Sequence, residues 1–205
     1  MPAETRPVGR RERNKQEKLD RITAAAGELF ARHGVDDVTT QQIADEADIG
    51  TGTLFLYART KSELLLLVQN SSYADALVRG TAAAADETDE LDAVMAVVTP
   101  VVHCNRTQVD NGRTYLREIV FGDPEEPYHR QALELTVQTE QAIADVLARR
   151  AGTGPADAAV LAHVVSAVMF LSMAATVNIA KPVEAVLADI RAQLDVVLGT
   201  ATRTG

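Results

Sequence analysis

Apolar residues recur every three or four positions along most of the chain, the spacing that places them on one face of an α-helix. No stretch shows the clean alternation of apolar and polar residues that is typical of a half-buried strand. Gly and Pro cluster between the periodic segments, as the connections between helices require. The pattern predicts an all-α protein whose core is built mainly of Ala, Val and Leu.

Residues 38–61 predict two short helices joined by a tight turn. Thr39 and Gln42 fit a capping box, in which each side chain pairs with a backbone N–H that a helix start leaves free, so a helix begins near Thr40. Residues 53–57 would form the second helix. Two short helices in this order indicate a helix-turn-helix.

At these residues the chain resembles the TetR family of one-component transcriptional repressors. The residues that carry the resemblance are Thr39, Ile43, Ala44, Ala47, Gly52, Thr53, Leu54, Phe55, Tyr57 and Lys61, preceded by Ile22, Ala25, Ala26, Leu29, Phe30 and Gly34 in a first amphipathic helix. Four positions depart from the family pattern: Asp48 replaces the usual Gly, Gly50 a frequent Ser, Phe55 the usual Tyr, and Ala58 the usual Phe. The missing hydroxyl at Phe55 removes one expected phosphate contact.

The resemblance implies a three-helix DNA-binding domain with a basic N-terminal arm over residues 1–62, and a helical effector-binding and dimerisation domain over residues 63–205. About nine helices are expected in total, a number that the resemblance implies together with the spacing of apolar residues. The implied function is that of a sequence-specific transcriptional regulator, a ligand-responsive repressor that binds a palindromic operator as a homodimer. TetR-like proteins dimerise by pairing their last two long helices in a four-helix bundle, here residues 156–180 and 183–199.

Eight residues of the helix-turn-helix are the predicted contacts with double-stranded DNA. Those expected to bind phosphates are Thr40, Tyr57 and Lys61, and those expected to face base edges are Thr51, Thr53 and Leu56. Gly50 and Gly52 have no side chain, so a phosphate or base edge can approach their backbone closely.

Larger side chains are scattered among Ala and Val on the helices that line the effector cavity in TetR-like proteins. The predicted effector-pocket residues are Met95, His103, Tyr115, Glu118, Phe121, Met169, Phe170 and Met173. A mostly apolar pocket with a few orienting polar groups suits a small molecule. Filling of the core is the alternative explanation for each of these side chains, and nothing identifies the effector.

The net charge of −9 argues at first against a nucleic-acid partner, but the charges are unevenly distributed. Residues 1–61 hold ten basic and ten acidic residues, whereas residues 62–205 hold ten basic and nineteen acidic ones. The early basic residues are Arg6, Arg10, Arg11, Arg13, Lys15, Lys18 and Arg21. Beside a helix-turn-helix we interpret them as an arm that follows DNA phosphates, with a solvated tail as the alternative.

Cys104 is the only cysteine, which excludes a disulfide within one chain and fits a reducing, cytoplasmic location. No secretory or transmembrane segment is evident, because polar residues interrupt the apolar run 160–179, which we interpret as a buried interface helix. No motif indicates a cofactor, a metal site or an enzyme. The alternative function is an effector-binding or protein-interaction module with a degenerate helix-turn-helix.

Three local features give further expectations. Pro100 should kink or break its helix, and Asn111-Gly112 should form a turn. His163, on an apolar helix, is expected to be a satisfied core histidine. His103 and Cys104 are adjacent and are expected to be buried or to line a pocket without catalysing a reaction.

Overall fold

The computed structural model describes residues 9–149 and 153–201, and within these ranges it contains nine α-helices, one short 3-10 helix and no strand. The all-α prediction is confirmed. The helices are α1 Arg10–His33, α2 Thr40–Glu46, α3 Thr51–Leu54, α4 Lys61–Ala84, α5 Glu90–Arg106, α6 Val109–Phe121, α7 Pro127–Ala148, α8 Pro155–Ala174 and α9 Val183–Ala201, with the 3-10 helix at Thr176–Asn178.

The chain forms two compact units, one ending at Val68 and the other beginning at Gln69. The first unit holds α1, α2, α3 and the start of α4, and the second holds the rest of α4 and the remaining helices. Helix α4 is therefore shared by both units. The assignment of residues 1–62 to DNA binding and 63–205 to effector binding stays a prediction.

The helix-turn-helix is fixed by local hydrogen bonds and an apolar core. Thr39 Oγ1 accepts the Gln42 N–H at 3.2 Å, and the Thr39 N–H donates to Gln42 Oε1 at 2.8 Å, so the predicted capping box is present. Ile43 and Leu54 are fully buried, and α2 packs against both α1 and α3. The Gly34 N–H donates to the Phe30 carbonyl at 2.9 Å, and the φ of Gly34 is 79°, as expected for a glycine that ends a helix.

The turn between α2 and α3 explains one departure from the family pattern. Asp48 has a φ of 53°, a left-handed conformation that Gly adopts without cost and that Asp tolerates better than most residues. The position where TetR-like proteins usually have Gly therefore keeps the glycine-type backbone in this chain. At another departure, Ala58 is buried at 2% exposure, so the smaller side chain leaves no opening to solvent.

Of the two predicted effects of Pro100, a break is wrong, because α5 continues from Glu90 to Arg106 through this residue, whereas a kink stays a prediction. Proline leaves the Ala96 carbonyl without its usual helical donor. Gly80 of α4 lies directly against this point, since a Cβ on it would be 2.9 Å from the Ala96 carbonyl oxygen. Close packing of α4 on α5 covers the interrupted turn.

The expected turn at Asn111-Gly112 is also wrong, because both residues lie buried in the first turns of α6. A Cβ on Gly112 would be 2.0 Å from the Asn105 carbonyl oxygen, closer than any side chain is tolerated. Glycine is required here for the close approach of α5 and α6 and not for a turn.

The last part of the chain is more broken than the periodic pattern predicts. Helix α8 ends at Ala174 and not near residue 180, and the chain passes through the 3-10 helix before α9. Arg106 holds this connection, since its Nη2 donates to the carbonyls of Asn178 at 2.9 Å and Lys181 at 2.8 Å. Helix α7 runs from Pro127 to Ala148 and leads to α8 through a connection that includes Gly154.

Candidate nucleic-acid interface and effector cavity

A groove of about 950 Å³ lies between the start of α1 and the turn that follows α3. We call residues 53–57, the predicted second helix of the helix-turn-helix, the recognition helix. The lining of the groove combines side chains of α1 with residues of this segment: Arg10, Arg11, Glu12, Asn14, Lys15, Lys18, Thr53, Leu56 and Tyr57. Four cations face one carboxylate, so the groove is positively charged in a chain of net charge −9. Such a surface attracts a polyanion.

Tyr57 joins the two sides of this groove. Its hydroxyl donates to the Lys15 carbonyl at 3.4 Å, which ties the turn after α3 to the start of α1. Leu56 is 83% exposed beside it. A single exposed Leu is ordinary on a protein surface, but here it lies among cations, where it can contact a thymine methyl group.

The residues that open α3 are accessible. Gly50 and Gly52 are exposed, and a Cβ on either would meet no atom within 4 Å. Thr51 Oγ1 donates to Gln41 Oε1 at 2.7 Å, so this side chain is oriented by α2. No contact within the described chain requires glycine at positions 50 and 52.

The two remaining predicted contacts, Thr40 and Lys61, are half-buried. Lys61 Nζ donates to the carbonyls of Val35 at 2.8 Å and Asp36 at 3.0 Å, so it holds the loop after α1 against the start of α4. An ammonium has three N–H donors, which leaves one for a phosphate. No pattern in the sequence signals this intramolecular role.

The sequence identified the basic residues of α1 as a group but did not place them at the recognition helix. Arg10, Arg11, Lys15 and Lys18 lie on α1 and line the groove. Helix α1 begins at Arg10, so six of the seven early basic residues lie on this helix, and Arg6 lies outside the described residues.

A second feature is a small apolar cavity of about 60 Å³ in the second unit. It is lined by Tyr73, Val101, Tyr115, Leu116, Ile119, Ala132, Leu135, Thr136, Thr139, Ser166, Met169, Phe170 and Met173. The structure thus brings four of the predicted pocket residues together, namely Tyr115, Met169, Phe170 and Met173. Ser166 Oγ is buried here and has no hydrogen-bond partner among the described residues.

The other four predicted pocket residues do not line this cavity. Phe121 is 82% exposed, because it is two residues beyond Ile119 and so lies about 200° around α6. Met95 is buried in the core, six residues before the lining residue Val101 and therefore on another face of α5. The Glu118 side chain pairs with Arg117, with Oε1 3.6 Å from Nη2. His103 lines a separate depression.

Two stacked tyrosines form one wall of the cavity. The rings of Tyr73 and Tyr115 have centroids 4.4 Å apart. The Tyr115 hydroxyl donates to Asn70 Oδ1 at 2.9 Å, and Asn105 Nδ2 donates to the Tyr73 hydroxyl at 2.6 Å. Burial raises the pKa of both hydroxyls well above the ordinary value, so they are neutral at physiological pH. Sequence reasoning missed Asn70 and Tyr73, although a polar Asn70 on the apolar α4 was an available signal.

Helices α8 and α9 leave apolar side chains exposed. Val160 and Leu171 of α8 and Val196 of α9 are 64%, 68% and 65% exposed. Only 33% of the most apolar 18-residue stretch of α8 is buried. By length and composition alone α8 could cross a membrane, but the core helix of a soluble protein meets the same criterion. The expectation that His163 is a core histidine is wrong, since it lies exposed on α8 with Nδ1 3.0 Å from Glu140 Oε1.

The ionisable residues give no indication of metal or thiol chemistry. Within residues 9–149 and 153–201, no group of three or more His, Cys, Asp or Glu side chains could hold a metal ion. Cys104 is half-buried, and burial raises the pKa of its thiol to about 11, so the unreactive protonated form dominates.

The family described as "Bacterial regulatory proteins, tetR family" matches residues 22–68, which include the second half of α1, all of α2 and α3, and the start of α4. No curated protein matches the sequence. The fold is shared with solved regulators at low sequence identity. A TetR transcriptional regulator from Rhodococcus sp. RHA1 superposes with a TM-score of 0.65 at 17% identity, covering 91% of this chain and 97% of the other.

Two further solved structures show the same architecture. A TetR-family regulator from Streptomyces coelicolor superposes with a TM-score of 0.64 at 21% identity, covering 90% of this chain and 96% of the other. PfmR, a TetR-family regulator from Thermus thermophilus, superposes with a TM-score of 0.61 at 17% identity over 87% and 97% of the two chains. The segment 22–68, which holds the helix-turn-helix, matches the TetR family model, and the fold of the described chain is that of solved TetR-family transcriptional regulators.

Proposed function

We propose that this protein is a cytoplasmic repressor that binds a palindromic operator as a homodimer and releases it when a small, largely apolar molecule occupies the cavity of the second unit. The observation that carries the proposal is the groove, in which cations of α1 and residues of the recognition helix line one surface. Cations position a protein on phosphates, whereas side chains of a recognition helix read base edges.

The groove supports a division of the DNA contacts. Arg10, Arg11, Lys15 and Lys18 line the groove and bind phosphates, together with the remaining donor of Lys61. Tyr57 reaches a phosphate only by exchanging its hydrogen bond to the Lys15 carbonyl for one to the DNA. Thr51, Thr53 and Leu56 contact base edges. Gly50 and Gly52 support this arrangement, because their exposed backbone lets the duplex approach without a steric clash.

The exposed apolar side chains of α8 and α9 support dimerisation through these two helices. Ala167 and Leu171 continue the exposed face of α8 that begins at Val160, at the three- and four-residue spacing of a helix-packing seam. A two-fold axis along this face would bury it as a four-helix bundle. Val168, beside Ala167, is half-buried at the edge of this face.

The cavity supports effector binding through its apolar lining and its few polar groups. Drug-sized ligands occupy pockets of about 300–1,000 Å³, so a cavity of about 60 Å³ is a closed form that must expand to admit one. An effector that binds the expanded form then shifts the equilibrium between the two arrangements. Tyr73 and Asn70 belong to α4, whose first residue is Lys61, so α4 couples effector binding to DNA binding.

The decisive experiment is fluorescence anisotropy with labelled DNA from upstream of the protein's own gene, compared with random DNA of the same length and salt. We expect at least a tenfold preference for the specific fragment, and sedimentation should show one dimer per palindrome. The Leu171→Glu variant should be monomeric and bind weakly, because dimerisation would bury an unpaired charge. Equal binding of both DNA fragments by a dimeric wild type would favour the interaction module with a degenerate helix-turn-helix.

A further inference from the structure

A polar depression of about 650 Å³ lies in the second unit, apart from the apolar cavity. It is bounded by α4, α5 and the start of α9, and its charged or polar lining includes Asp75, Arg79, His103, Arg106 and Thr107. None of its lining residues lines the apolar cavity. The two features are therefore separate sites.

Arg106 is the unusual member of this lining, because its guanidinium is buried and only partly satisfied. The residue is 9% exposed, and Nη2 donates to three carbonyls, those of Asn178, Ile179 and Lys181. Nε and Nη1 are buried without an acceptor among the described residues. A buried cation is costly unless an anion compensates it, and carbonyl groups supply dipoles but no charge.

The carboxylates near this depression do not compensate Arg106. No ion pair joins Arg106 or Arg79 to a carboxylate of residues 9–149 or 153–201. The Glu184 carboxylate lies beside His103 instead, with its Oε1 3.5 Å from Nε2. Asp75 is the one carboxylate in the lining, against the two guanidinium groups.

Two further groups make the depression favourable for negative charge. Val183 is the first residue of α9 and lines the depression, so the positive end of the helix dipole contributes there. The Cys104 thiol is neutral at physiological pH, because burial raises its pKa, so it adds no competing negative charge.

We propose that this depression binds a small anion through a carboxylate or phosphate group, with Arg106 at its floor and Arg79 as the second cation. Guanidinium groups bind both kinds of oxyanion through charge-assisted hydrogen bonds. Thr99 and Ser72 supply hydroxyl donors around the same volume. The depression shares no lining residue with the effector cavity or with the DNA-binding groove. An anion can therefore be bound in the depression while the cavity or the groove is occupied.

Calorimetric titration of the full chain tests this site with two probes, inorganic phosphate and succinate, at constant ionic strength maintained with sodium chloride. Succinamide, which has the same carbon chain without the charge, is the negative control. We expect millimolar or tighter binding of phosphate, succinate or both, and none of succinamide. The anion that binds more tightly identifies the natural class as a phosphate or a carboxylate.

The Arg79→Gln variant removes one guanidinium without disturbing the buried Arg106. Its affinity for the better anion should fall at least tenfold, as loss of a charge-assisted hydrogen bond implies. Arg117→Gln is the matched control, since Arg117 is exposed and lies outside the depression, and its affinity should be unchanged. The proposal is overturned if neither anion binds the wild type below about 10 mM, or if Arg79→Gln binds as tightly as wild type. A loss of binding in Lys15→Gln would instead place the anion in the DNA groove.

Discussion

Replacing Gly112 by Ala tests the close approach of α5 and α6. In an exposed helix interior this change stabilises by about 1 kcal/mol. Here the new Cβ would lie 2.0 Å from the Asn105 carbonyl oxygen and 2.8 Å from its Cγ and Oδ1. The first of these atoms belongs to the backbone, so relief requires α5 and α6 to move apart by about 1 Å or more.

That movement has two energetic costs. Overpacking of a core costs about 1–3 kcal/mol. Asn105 Nδ2 also donates to the Gly112 carbonyl at 3.1 Å and to the Tyr73 hydroxyl at 2.6 Å, and leaving such buried groups unpaired costs a further 1–3 kcal/mol or so. After the gain in helix propensity, a net loss of about 1–5 kcal/mol remains, with a central value of about 3 kcal/mol. For a chain of this length each kcal/mol lowers Tm by about 2–4 °C.

The assay is thermal unfolding followed by far-ultraviolet circular dichroism at one fixed protomer concentration, since the Tm of a dimer depends on concentration. Gly199→Ala is the matched control, because Gly199 lies in α9 of the same unit and a Cβ on it would meet no atom within 4 Å. We expect Gly112→Ala to melt at least 5 °C or so lower and Gly199→Ala to melt at or above the wild-type temperature. A Gly112→Ala protein that melts within about 2 °C of wild type would refute the close approach.

Three further predictions concern other parts of the chain. Gly52→Ala should leave Tm unchanged or higher, since a Cβ there meets no atom within 4 Å. The same variant should bind the operator more weakly in anisotropy titrations, because the duplex must approach the backbone at this residue. Unchanged affinity would contradict this contact. Asp48→Gly should be about 1 kcal/mol more stable in urea than Asp48→Ala, because both changes remove the carboxylate but only Gly relaxes at a φ of 53°. Cys104 should react with a disulfide reagent at pH 8 about a hundredfold more slowly in the folded protein than in urea, since burial raises the pKa of its thiol from 9.0 to about 11. The rate in the folded protein should increase as the pH rises toward 11. Equal rates in the folded protein and in urea would show an accessible thiolate.

The parts of the fold that the sequence predicted are those set by local interactions. The capping box at Thr39 and Gln42 depends on residues three positions apart, and the end of α1 depends on a single glycine. Apolar spacing located the helices, since one face of each packs against neighbours. These features were correct because each is encoded within about one helical turn.

The errors arose where a distant neighbour decides the outcome. Gly112 has the sequence signature of a turn, but its glycine serves the contact with Asn105 of another helix. Pro100 does not break α5, because Gly80 of α4 lies against the interrupted turn. Phe121 was assigned to the effector cavity by residue type, whereas its position two residues beyond Ile119 turns it to solvent. Each outcome depends on contacts that no local pattern contains.

The distribution of charge explains how a protein of net charge −9 suits DNA binding. The entire excess of acidic residues lies in residues 62–205. At physiological ionic strength charges beyond about 8 Å are largely screened, so a duplex in the groove responds mainly to Arg10, Arg11, Lys15 and Lys18 against Glu12. If these four cations each neutralise a phosphate, the slope of log affinity against log salt is about −3.6 per protomer. The acidic residues of the segment 62–205 release no counterions from DNA and add nothing to this slope. Binding to random DNA should therefore stay weak, and the base contacts of α3 should determine which sites are occupied.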